Sequence, residues 1–105
     1  MQQFGVYRNR NAHTRAAYPL LLNVQSDLIA ETGTRVVVPM LPRSGAHPPP
    51  ISALTPVLDV AGAAHVLVVP LLAATEASDL GAQEADLSHE RVAIMAALDL
   101  LISGI

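Results

Sequence analysis

Apolar and polar positions fall into short blocks separated by turn residues, which predicts a mainly β architecture. Phe4, Val6 and Tyr7 within Gln3–Tyr7 supply a first strand, interrupted by Gly5. The stretch Arg8–Ala17 has no period and reads as a loop. Leu20–Val24, behind Pro19, and the β-branched run Arg35–Leu41 are expected to pair as antiparallel strands. The bend between them is Gln25–Glu31, with a turn at Thr32-Gly33-Thr34. Proline lacks the amide donor, so Pro42–Pro50 is a loop. Leu54–Val60 and Ala64–Val69 flank Ala61-Gly62-Ala63 as a hairpin, closed by Pro70. The alanine-rich Leu71–Gln83 is ambiguous by pattern.

The last segment changes period. Ile94, Met95, Leu98, Leu101, Ile102 and Ile105 share one helical face, with Ser88 as N-cap and Leu87–Val92 as a hydrophobic staple. The opposite face carries Val92, Ala96, Asp99, Leu100 and Ser103, which is too apolar for a solvated helix and predicts a second contact surface. The expected fold is a twisted antiparallel sheet of about five strands, SH3-like, with a C-terminal α-helix. Residues 1–105 are read as a single domain.

Composition narrows the chemistry. The absence of cysteine excludes disulfides, a thiol nucleophile and thiolate zinc sites. Hydrophobic residues at 51% exclude disorder, while charged residues at only 14% imply that part of the surface is covered by a partner. All basic residues are arginines. Arg8, Arg10, Arg15, Arg35 and Arg43 against Asp27 and Glu31 leave +3 through Pro50; Arg91 against seven carboxylates leaves −6 beyond it. Five scattered arginines make a poor nucleic-acid footprint but suit an acidic protein segment. His13, His47, His65 and His89 share no metal-ligand spacing, and Asp86-Leu87-Ser88-His89 reads as a cap rather than a triad. No catalytic residue, metal or cofactor is expected. With no signal peptide and no apolar run near the ~20 residues of a membrane span, a cytoplasmic location is expected.

Two blocks carry a family resemblance. Val24-Gln25-Ser26-Asp27-Leu28-Ile29 followed by Thr32-Gly33-Thr34-Arg35-Val36-Val37-Val38-Pro39, and Ala85-Asp86-Leu87-Ser88-His89 ahead of a helix ending Ser103-Gly104-Ile105, resemble the CcdB toxin family. That resemblance implies a homodimer that is not an enzyme. It further implies binding to the GyrA subunit of DNA gyrase, trapping of the cleaved-DNA complex, neutralisation by a CcdA-like antitoxin, and transcription regulation together with that antitoxin. The gyrase-facing positions carried over are Ser26, Leu28, Ile29, Asp99, Ser103, Gly104 and Ile105. The antitoxin-facing ones are Tyr7, Arg8 and Arg10. No direct nucleic-acid or membrane contact is implied.

One position departs from the family. Its best-known gyrase poisons end Trp-Gly-Ile, whereas this chain has Ser103. An aromatic hot spot is typically worth about 2–4 kcal/mol, which serine cannot supply. Two other readings therefore stay open: a CcdB-fold protein that binds its antitoxin but no longer poisons gyrase, and a MazF-like endoribonuclease on the same barrel. The acidic C-terminal half argues against the second.

Overall fold

The computed structural model describes residues 1–45 and 53–104. Among these residues seven strands precede one α-helix: β1 (Gly5–Asn9), β2 (Leu20–Asn23), β3 (Thr34–Pro42), β4 (Val57–Val60), β5 (Ala63–Leu67), β6 (Ala73–Glu76), β7 (Leu80–Asp86) and α1 (Arg91–Ser103). Every strand pairing is antiparallel. The sheet runs β4-β5-β3-β2-β1-β7, with β6 also on β3, and curls into a half-barrel consistent with an SH3-like barrel.

Nine-residue β3 organises this arrangement. One edge pairs with β2 (Leu22↔Val38); the other pairs with β6 over Thr34–Val37 and with β5 over Met40–Pro42. Pro39 lies between those two partners, and its carbonyl accepts the Val68 N–H at 2.9 Å. A proline is tolerated there because the ladder changes hands at that residue.

The two-residue period of the strands sorts side chains onto two faces. Val6, Leu22, Val38 and Met40 face the main core with Leu67, Leu87 and, from α1, Ile94 and Ala97. Tyr7, Leu21, Val37 and Leu80 form a second cluster. Fully burying an aliphatic chain of this size stabilises by about 1.5–3 kcal/mol, so these inward positions dominate the fold.

The expected 20–24/35–41 pair and the hairpin around Gly62 are present, although Leu54–Pro56 lie ahead of β4 rather than in it. About five strands are expected, and the described residues hold seven. The two additions, β6 and β7, come from the alanine-rich segment and its continuation, whose strand form depends on pairing with the distant edges of β3 and β1. Part of the Pro42–Pro50 loop, with His47, lies outside the described residues.

The start of the helix also differs from the sequence reading. Ser88–Glu90 is a single 3₁₀ turn, and the side chain of Glu90, at the N-cap of α1, makes no capping hydrogen bond among the described residues. The organising group is Asp86: its Oδ1 accepts the Ser88 N–H at 2.9 Å and the Ser88 hydroxyl. There is no staple, since Leu87 is buried while Val92 is 84% exposed. On the expected apolar face, Ile94 is buried and Met95 and Leu98 pack on the core, but Leu101 and Ile102 are exposed.

Candidate functional site: an apolar bend, a helix end and an arginine-bearing strand

The bend between β2 and β3 puts large apolar groups in water. Leu28 is 90% exposed and Ile29 is 52% exposed. Ser26 shapes the turn: its Oγ accepts the Leu28 N–H at 3.2 Å and its carbonyl accepts the Ile29 N–H at 3.1 Å. Gln25 and Asp27 tie the same turn to its surroundings.

The helix end is the second expected element. Asp99, Ser103 and Gly104 are placed along its last turn, with Ser103 and Gly104 exposed. Gly104 takes the left-handed conformation (φ 76°) and its N–H closes on the Leu100 carbonyl at 3.0 Å. This is the helix stop that glycine adopts with least strain. The Ser103 hydroxyl donates to the Asp99 carbonyl at 2.7 Å, so it turns back onto its own helix. Ile105 lies outside the described residues.

Among the described residues, no hydrogen bond or ion pair joins the bend to the helix end. The amino terminus links the bend instead to the start of α1. The Gln3 N–H donates to Asp27 Oδ1 at 2.8 Å, and the Phe4 N–H donates to the Asn23 carbonyl at 2.6 Å. The Phe4 carbonyl then accepts the Leu87 N–H at 2.8 Å. Arg91 stacks its guanidinium 5.3 Å from the centre of the Phe4 ring. Phe4 makes these contacts at φ 66°, a sparsely populated conformation for a bulky residue. Such strain persists only where the surroundings hold the residue in place, as they do here.

The arginine-bearing face lies on β1 and the loop after it. Arg8 and Arg10 are exposed. Arg8 Nε pairs with Glu84 Oε1 on β7, and that bond and charge hold the guanidinium still more firmly protonated than usual. The stem of Arg10 covers Gly81, and its N–H donates to the Asp79 carbonyl at 2.8 Å. Beside Arg8 runs a groove of about 560 Å³, lined among others by Arg15, Leu20, Val60 and His65.

Tyr7 belongs to the interior rather than to this face. It is 5% exposed, and its hydroxyl accepts the Gln2 N–H at 2.7 Å. It therefore supports the strand that carries Arg8 without offering surface of its own. The sequence does not connect Glu84, Arg15 or His65 with Arg8, because no local pattern relates them; only strand pairing does. Gln25 and Asp27 stand inside the family block, but their bonding role is visible only in three dimensions.

Among the described residues, no group of three or more His, Asp or Glu side chains could hold a metal ion, and no helix is long and apolar enough to cross a membrane. Comparison with protein-family models gives a match described as CcdB protein over residues 3–104, nearly the whole chain.

Proposed function

Because the chain belongs to the CcdB family, whose members are toxins of toxin–antitoxin pairs, we propose that it binds the GyrA subunit of DNA gyrase and is neutralised by a CcdA-like antitoxin. The observation that carries this reading is the family match, which spans the bend and the helix end alike. The exposure of Leu28 and Ile29 supports it, since apolar side chains displayed on a shaped turn are what a partner pocket recognises. Ser26, Leu28 and Ile29 on the bend, with Asp99, Ser103, Gly104 and Ile105 at the helix end, form the gyrase-facing set.

The protein acts as a homodimer in this reading. Val92 and Ile102 stand 84% and 76% exposed on α1, and charged residues are too few to explain such a surface as solvated. The antitoxin contributes an acidic, flexible segment that lies over Arg8 and Arg10, where the chain's basic half is exposed.

Two titrations test these assignments. Removing Gly104 and Ile105 should abolish GyrA-fragment binding and growth inhibition while the fold survives; undiminished toxicity refutes the gyrase assignment. Reversing Arg8 and Arg10 to glutamate should weaken antitoxin binding and slow association at low salt, because the acidic segment would then meet two negative charges in place of two positive ones. Unchanged affinity and salt dependence place the antitoxin elsewhere.

Ser103 favours a second reading, in which the protein binds its antitoxin but does not poison gyrase. Its hydroxyl is engaged with its own helix and offers no stacking surface. Antitoxin binding without any GyrA-fragment binding would select it.

A further inference from the structure

The bend carrying Leu28 and Ile29 holds its shape without burying those two side chains. Polar groups supply the restraint. Gln25, partly buried, uses both ends of its carboxamide. Oε1 accepts the Val36 N–H at 3.0 Å, one residue ahead of the Asn23↔Val37 pair that joins β3 to β2. Nε2 donates to the Ile29 carbonyl and, at 3.3 Å, to Thr32 Oγ1. One side chain thus bridges the loop from Ile29 to Val36.

Its own backbone is anchored from below. Asn23, 1% exposed, accepts the Gln25 N–H on Oδ1 at 3.2 Å and donates from Nδ2 to the Gln2 carbonyl at 3.0 Å. On the outer side, Asp27 accepts the Gln3 N–H.

We propose that Gln25 is a positioning residue for partner binding: its carboxamide keeps the bend in the shape that presents Leu28 and Ile29. The proposal rests on the gyrase reading for the identity of the partner. The physical argument is preorganisation. A segment that must be ordered at the moment of binding lowers affinity, and a segment already ordered does not. All three side-chain bonds of Gln25 fall within residues 29–36, and Leu28 and Ile29 are not part of the core. Loss of the bridge therefore opens the loop locally rather than unfolding the sheet.

The near-isosteric Gln25→Glu substitution separates positioning from folding. At neutral pH glutamate still accepts the Val36 N–H, but it cannot donate to Ile29 and sets a carboxylate against that carbonyl. Binding to the GyrA fragment should fall by about tenfold or more, while thermal unfolding changes little. Amide order parameters at Leu28 and Ile29 should fall from about 0.85 towards 0.6 or below. Below the carboxyl's ordinary value of about 4.3, the protonated side chain regains a donor, and the order parameters should recover. Gln25→Met, which removes both ends, serves as the second variant should Gln25→Glu not fold.

Unchanged order parameters, or unchanged affinity in a folded variant, overturn the proposal. If the wild-type chain does not bind the GyrA fragment, the gyrase reading falls by itself. The order parameters then decide on their own whether Gln25 holds the bend.

Discussion

Replacing Gly5 by alanine should destabilise the protein, although Gly→Ala in a strand ordinarily gains about 0.5–1 kcal/mol. A Cβ at this position would stand 2.8 Å from Tyr7 Cε2, 3.0 Å from the Tyr7 hydroxyl oxygen and 3.1 Å from the Gln2 carbonyl oxygen. Carbon atoms in contact sit about 3.5–4.0 Å apart, so something must move by roughly 0.7 Å or more. The ring cannot do so freely. Tyr7 is buried against Leu21, Val37 and Leu80, and its hydroxyl holds the Gln2 N–H at 2.7 Å. Overpacking a fixed site costs about 1–3 kcal/mol, and a disturbed hydrogen bond adds about 1 kcal/mol. Offset by the backbone gain, the expected loss is about 1–3 kcal/mol. Urea unfolding at matched protein concentration should show it as a lower midpoint with an unchanged slope. The same substitution in a Tyr7→Ala background should cost far less, because the obstructing ring is gone. A Gly5→Ala protein as stable as wild type, or an equal cost in both backgrounds, refutes the steric argument.

Three further outcomes are expected. Ala61 sits at φ 52° before Gly62 at φ 87°, a turn geometry that favours Asn-Gly, so Ala61→Asn should raise stability by about 0.5–1 kcal/mol in the same unfolding assay. The hydrogen bonds from the Ser88 hydroxyl and N–H hold the Asp86 carboxyl below its ordinary 3.8; a lowered folded-state value means that its contribution is present at neutral pH and lost as pH falls through that lowered value. An NMR titration should locate the depressed midpoint, and Ser88→Ala should move it back up. Ser103→Trp should strengthen GyrA-fragment binding by about 1–3 kcal/mol in calorimetry, the part of an aromatic hot spot that the surrounding site can use.

The fold is legible in the sequence wherever a signal is local. The β-branched run of β3 and the glycine turn before β5 read correctly because their side chains set their conformation directly. The alanine-rich β6 and the glycine-containing β7 carry weak local preference, and their strand form depends on partners far along the chain. The start of α1 is misread for a related reason. Ser88 is a good cap by type, but Asp86 two residues earlier takes both its hydroxyl and its amide. At the candidate site, exposure of the bend follows from its polar and turn-forming neighbours. Burial of Tyr7 and the Arg8–Glu84 pair do not, since both depend on how β1 and β7 are registered.

That registration bears on the order of events during synthesis. Arg8 meets Glu84 across 76 positions of chain, and β1 gains its second hydrogen-bonded edge only when β7 is available. A polypeptide still emerging from the ribosome can form the β1–β2–β3 meander early, but its arginine strand remains an open edge until Asp86 is free. Pairings between distant segments are also the slow steps of folding. A partner that reads the assembled Arg8–Glu84 surface therefore meets that surface only on chains in which β7 has already been made and paired. Until then, the exposed β1 edge is a part of the nascent protein open to pairing with another strand.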